Sequence, residues 1–261
     1  MKVIGIEEKR LKIRFERNGP VGAIVIDRAE RRNAITLAMW QAIPDLLSQA
    51  SSERGLKVLV VRSAEDGSFS AGADIGEMIA NKDDAVWRAA NQAAINVAQH
   101  RLARFTLPTI AFVGGDCIGG GCALALACDI RVATPNARFG ITPAKLGLVY
   151  PFHDIKLLVD LVGPGQAKRL LFTGEFVDAM EARDIGLIEI IASSPDALER
   201  VIAQTSANSN TAMKQMVRRV LDGQHDDDAE TLQMFAAAFE GSDFAEGSTA
   251  FAEKRRPQFE G

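Results

Sequence analysis

The chain opens on alternating polar and apolar positions. Arg10-Leu-Lys-Ile-Arg-Phe-Glu-Arg17 has the two-residue period of a half-buried strand, and Val21-Gly-Ala-Ile-Val-Ile26, after the turn residues Asn18-Gly19-Pro20, predicts its hairpin partner. The period then lengthens. Across residues 34–50, Ile35, Leu37, Met39, Trp40, Ile43 and Leu46-Leu47 recur at helical spacing. Largely apolar runs at 57–62, 109–113 and 130–133 predict buried strands, as in a parallel sheet. Strand, glycine-rich turn and helix repeat in that order, which places the fold in the α/β class.

From about Ser194 the strand signals stop, and helical patterns follow at 195–204, 211–221, 229–239 and 243–254. Helices this short rarely bury an apolar face alone. Met234, Phe235, Phe239, Phe244 and Phe251 therefore need the core or another subunit. No low-complexity linker separates the halves, so 1–194 reads as a core and 195–261 as a helical region packed against it.

Composition narrows the partners. The 261 residues are 47% hydrophobic and 25% charged, enough for a large core, and the net charge of −4 without a dense basic run argues against nucleic acid. No apolar stretch approaches the roughly 18 residues of a membrane span, and Met1-Lys-Val-Ile-Gly-Ile6 lacks a signal-peptide pattern, so a soluble cytoplasmic protein is expected. Cys117, Cys122 and Cys128 form no C-x-x-C pair and His100, His153 and His225 are scattered, so neither a disulfide framework nor a metal site is predicted. Buried structural thiols are the simpler reading of the three cysteines.

Two small-residue segments carry the chemistry, Phe69-Ser-Ala-Gly-Ala-Asp-Ile75 and Gly114-Gly-Asp-Cys-Ile-Gly-Gly-Gly-Cys122. Each can leave backbone N–H groups bare, and two such donors converging on a carbonyl oxygen make an oxyanion hole. Gly119-Gly-Gly-Cys-Ala-Leu124 is not a dinucleotide fingerprint, because Leu124 stands where a third small residue is needed and no acidic residue follows about 20 positions on. The glycines still aim the positive end of a helix at whatever binds there.

These segments, with Asp27-Arg-Ala-Glu-Arg-Arg-Asn-Ala-Ile35, Arg138-Phe-Gly-Ile-Thr-Pro-Ala-Lys-Leu-Gly147, Leu171-Phe-Thr-Gly174 and Phe251-Ala-Glu-Lys254, resemble the crotonase superfamily, the enoyl-CoA hydratase/isomerase group, over nearly the whole chain. The resemblance implies a crotonase-like spiral of ββα turns with a helical C-terminal region that builds trimers, commonly paired into hexamers. It implies an acyl-CoA thioester substrate, with coenzyme A entering as part of that substrate and no separate cofactor. By position, the N–H groups of Ala73 and Gly120 would form the oxyanion hole. Ala71, Asp74 and Ile75 would follow the adenine and pantetheine path, Arg32 and Ala34 would border the CoA phosphates, and Phe251 and Lys254 would reach CoA from the tail.

The departures bear on the reaction. The two glutamates that manage water and protons in the hydratases are replaced here by Ala123 and Pro143, which cannot exchange protons. General acid–base groups supply about 10²–10⁴-fold each, so ordinary hydration is not expected. Thr142-Pro-Ala-Lys-Leu-Gly-Leu-Val-Tyr150 resembles a stretch of methylmalonyl-CoA decarboxylases that ends in a functional tyrosine, although Ala73 stands where those enzymes carry a histidine. Tyr150 thus reads either as a group that orients a substrate carboxylate or as a packing ring. His153 and Asp154 are further acid–base candidates because the segment should face the acyl pocket, with Asp154 alternatively an N-cap of a helix over 155–162. An active acyl-CoA lyase, isomerase or decarboxylase, a thioester hydrolase, and a non-catalytic acyl-CoA binder all remain open on the sequence.

Overall fold

The structure, a computed structural model, describes residues 11–259. Arg10, the predicted start of the first strand, and the Met1–Ile6 segment lie outside the described residues.

Among the described residues ten strands form two sheets. The first holds β1 (Ile13–Asn18), β2 (Val21–Ile26), β3 (Val58–Ser63), β5 (Thr109–Val113), β7 (Ile130–Ala133) and β10 (Ile190–Ile191) in the order β1-β2-β3-β5-β7-β10. The second holds β4 (Gly67–Ser70), β6 (Gly115–Ile118), β8 (Arg138–Gly140) and β9 (Phe176–Asp178), adjacent in that order. The hairpin β1–β2 is antiparallel, and β2, β3, β5 and β7 then pair in parallel. Each successive turn sends one strand to each sheet, β3 with β4, β5 with β6 and β7 with β8, and returns through helix. This is the expected ββα spiral.

The helices are α1 (Leu37–Ser52), α2 (Ile75–Ala80), α3 (Ala85–Ala103), α4 (Gly120–Leu126), α5 (Phe152–Thr173), α6 (Ala179–Asp184), α7 (Asp196–Ala203), α8 (Ala207–Leu221), α9 (Ala229–Glu240) and α10 (Ser242–Ala252). Side-chain caps set several starts: Thr36 accepts from the Met39 N–H, Asp84 from Val86 and Trp87, and Asp228 forms a capping box with Thr231. Helix α5 runs well past the predicted 155–162, changing direction at Gly163, whose φ of 71° precedes Pro164.

The apolar runs are buried on both faces, as their pattern predicts. Ile24, Ile26, Leu59 and Val61 face the main core, while Ala23, Val25, Val58 and Val60 face a second cluster that Leu198 and Ile202 of α7 help to close. The predicted division at residue 194 falls between β10 and α7.

Beyond α7 the packing thins. Phe239 meets Phe235 and Phe244 edge to face at 5.4 and 5.1 Å, yet all three rings, with Val217, Val220, Leu232 and Phe251, stay largely exposed. Among the described residues no helix is long and apolar enough to cross a membrane.

Candidate functional site

The loop before α1 and the loop before α2 are zipped together. The Ile35 N–H donates to Gly72 O at 2.7 Å, Asp74 N–H to Ile35 O at 3.0 Å and Ala71 N–H to Arg32 O at 2.9 Å. Because Gly72 O and Asp74 N face Ile35, the intervening Ala73 N–H points away from it, as in any extended pairing. Gly72, with a φ of 89°, permits the second approach: a Cβ there would stand 2.7 Å from Ile118 O and 2.8 Å from Gly120 N.

Gly119 turns the chain from β6 into α4 with φ 53° and ψ −117°, held by its N–H on Gly140 O at 2.8 Å. Gly120 is then the first helical residue, whose N–H has no intrahelical acceptor. A Cβ on Gly120 would lie 3.4 Å from Ala73 N. Two backbone N–H groups thus stand side by side, and neither finds an acceptor among the described residues. Such a pair can hold negative charge on one oxygen.

Both amides border a cavity of about 180 Å³ whose walls include Trp40, Met78, Ile95, Leu148 and Val149. Ala123 and Pro143 also line it. Tyr150, Asp154 and Trp40 bring buried polar groups to the wall. The Tyr150 hydroxyl, buried, donates to Gly119 O at 3.0 Å, and burial and then the neighbouring Asp154 push its phenol well above the ordinary value. Asp154 is 1% exposed, neither carboxyl oxygen has a hydrogen-bond partner among the described residues, and burial raises its pKa to about 7. The indole N–H of Trp40 is likewise buried without an acceptor.

Asp154 is not an N-cap. Pro151 occupies that position of α5, and Asp154 falls inside the first turn, where its carboxylate accepts from no backbone N–H. His153 is adjacent in sequence and turned elsewhere. It is absent from the cavity wall, its ring lies 5.7 Å from that of His100 on α3, and burial, then His100, Arg218 and Arg104, depress its pKa.

Arg32, Ala34, Ala71, Asp74 and Ile75 gather along the zipped loops. The left-handed Arg32 (φ 52°) pairs with Asp116 at 2.7 Å, Ala34 O accepts from Arg28, and Ile75 opens α2 with its side chain on the cavity wall. The Asp74 carboxylate is committed to Arg28 at 2.7 Å and to capping Glu77 N–H, while its backbone pairs with Ile35 O and the Met78 N–H. Phe251 and Lys254 are not brought to the cavity within one chain; both are exposed on the C-terminal region.

The three cysteines are buried and unpaired, and burial pushes Cys128 up to about 12 and Cys117 well above its ordinary value. Thiols held protonated in this way are poor nucleophiles. Among the described residues no group of three or more His, Cys, Asp or Glu is placed to hold a metal ion.

Helix α3 supplies wall residues that the sequence placed only within the broad stretch 77–97, with Gln99 beyond it. Asn91, Ile95 and Gln99 follow one another at four-residue intervals on one face. With its amide nitrogen towards Ala123 O (3.1 Å) and its oxygen towards Leu124 N (3.3 Å), Gln99 ties α3 to α4. That spacing was available in the sequence, but the small and polar residues between blur the apolar stripe.

Known proteins share this architecture. A family model described as enoyl-CoA hydratase/isomerase matches residues 16–261. The crotonyl-CoA hydratase of Syntrophomonas wolfei is 30% identical over 253 residues, covering 94% of this chain and 96% of that protein. The crystal structure of an enoyl-CoA hydratase/isomerase family protein from Hyphomonas neptunium superposes with a TM-score of 0.90 at 39% identity, covering 95% of this chain and 97% of that one. An enoyl-CoA hydratase/carnithine racemase from Magnetospirillum magneticum gives 0.90 at 28% identity, covering 95% of each chain. The chain belongs to the enoyl-CoA hydratase/isomerase family, within the crotonase superfamily of acyl-CoA-processing proteins.

Proposed function

We propose that the protein is an acyl-CoA isomerase-type enzyme that holds a thioester enolate on the Ala73 and Gly120 N–H groups and moves one proton with Asp154. The observation that supports this most is the shared cavity, with two acceptor-free amides and one unpartnered carboxyl of pKa about 7 in its wall. A base poised near neutral pH can accept the proton from the carbon next to the thioester and return it further along the chain. The enolate formed between the two steps places its charge on the oxygen the amides face. Double-bond migration needs a single such group, whereas addition of water in the related hydratases uses two carboxylates, and Ala123 and Pro143 supply neither.

Decarboxylation through Tyr150 fits less well. The hydroxyl has one proton, already donated to Gly119 O, and an ionised Asp154 beside it would repel a substrate carboxylate. Coenzyme A would lie along Arg32, Ala34, Ala71, Asp74 and Ile75, and assembly as a trimer or hexamer would let Phe251 and Lys254 of one subunit approach CoA bound by another.

The test is incubation with a 3-enoyl-CoA. A rise in the absorbance of the conjugated 2-enoyl thioester, lost in Asp154→Asn, is expected. Turnover unchanged in that variant overturns the role of Asp154. No turnover of any acyl-CoA in a mass-spectrometric panel reduces the protein to a binder.

A further inference from the structure

Trp40 is an apolar-core residue by position and a hydrogen-bond donor by chemistry, and the structure uses only the first. It sits on α1 at 1% exposure, it lines the same cavity as the two acceptor-free amides, and its Nε1–H has no partner. Buried indole N–H groups usually find one. The position of the ring is informative: Cζ2, two bonds from Nε1, lies 3.2 Å from where a Gly120 Cβ would stand, a point itself 3.4 Å from Ala73 N. The ring edge at Cζ2, next to the N–H, therefore lies beside the Gly120 backbone.

We propose that Trp40 is a substrate-recognising residue whose indole N–H donates to an oxygen carried by the acyl chain itself, beyond the thioester carbonyl. The inference rests on the acyl-CoA reading of this cavity. Two features set the substrate class. First, the cavity is small: about 180 Å³ is little more than the roughly 150 Å³ that holds one benzene, which limits the acyl group to a short chain. Second, its wall contains two unpartnered polar side chains, Trp40 and Asp154. A plain hydrocarbon chain would leave both unpaired, and sites built to hydrogen-bond a substrate group discriminate strongly against analogues that lack it. A short acyl group bearing a carbonyl or hydroxyl oxygen meets the indole N–H.

The experiment compares butyryl-CoA with acetoacetyl-CoA, which differ by one oxygen, by titration calorimetry with free CoA as reference. In the wild-type protein acetoacetyl-CoA should bind at least about tenfold more tightly than butyryl-CoA. Trp40→Phe, which removes the N–H, should bring the two within about threefold. Because that variant alters the core, a second measurement keeps wild-type Trp40. Trp40 and Trp87 are the two tryptophans, so Trp87→Phe leaves a single indole N–H resonance, which should move on adding acetoacetyl-CoA and stay in place with butyryl-CoA. Equal affinities in the wild type, or an equal response of the resonance to both, overturn the assignment while leaving the acyl-CoA reading intact. If CoA and both thioesters all fail to bind, the acyl-CoA reading falls and the role of Trp40 falls with it.

Discussion

Tyr150 donates its hydroxyl to the Gly119 carbonyl oxygen across 3.0 Å, linking the entry to α5 with the turn that exposes the Gly120 amide. The chain separates these residues by 31 positions, so the bond fixes the geometry of the site rather than of either loop. Tyr150→Phe keeps the ring volume and removes the bond. A loss of about 1 kcal/mol in denaturant-derived stability is expected, with a fall in turnover on any acyl-CoA substrate and no CO₂ released from malonyl- or methylmalonyl-CoA by either protein. Release by the wild type, abolished in the variant, restores the decarboxylase reading.

Asp154 makes stability depend on pH in a direction unusual for a carboxylate. Its folded pKa, about 7, lies above the unfolded value of 3.8, so between those limits the native state holds a proton that the unfolded chain releases. Stability contributed by this group is therefore highest below the unfolded value, falls as pH rises to about 7, and is level above. Asp154→Asn removes the titration. In urea unfolding its stability relative to the wild type should rise by about 1.4 kcal/mol per pH unit between pH 5 and 7. A constant difference across that range means the wild-type carboxyl ionises normally.

Gly120 has little room for a side chain. A Cβ there meets the Trp40 ring at 3.2 Å and Ala73 N at 3.4 Å. Gly120→Pro deletes the N–H at the first position of α4, where a helix tolerates proline, and should lose about 10²–10³ in kcat, the range found when one oxyanion donor is removed. Wild-type turnover in a variant shown folded by circular dichroism makes Gly120 a packing glycine only.

Crotonyl-CoA hydration is expected to be absent or far below the efficient range of about 10⁴–10⁸ M⁻¹s⁻¹ in kcat/KM. Loss of enoyl absorbance within that range means that Asp154 replaces both missing carboxylates.

The exposed rings of Phe235, Phe239, Phe244 and Phe251 are too many apolar groups for one small helical region to leave in water. Sedimentation at micromolar concentration should show a trimer or hexamer, and Phe239→Asp should shift it towards smaller species. A wild-type protein that sediments as a single chain removes the assembly reading.

Much of this molecule is legible along the chain because the signals are local. Strands at Thr109–Val113 and Ile130–Ala133 follow from apolar runs that bury both faces, the strand at Val21–Ile26 from its place after the turn residues 18–20, and the turn at Gly119 from its glycines. What tertiary structure decided concerns the state of individual atoms. His153 and Asp154 are neighbours in sequence, but successive residues of a helix lie about 100° apart, and only packing against α3 and α4 determines that Asp154 joins the cavity wall while His153 meets His100. The raised pKa of Asp154 and the unpartnered N–H of Trp40 arise from desolvation by groups on α1, α3, α4 and α5, brought together from positions more than 100 residues apart. Periodicity reports which face of an element is apolar; which polar atom loses its water depends on what the fold sets against it.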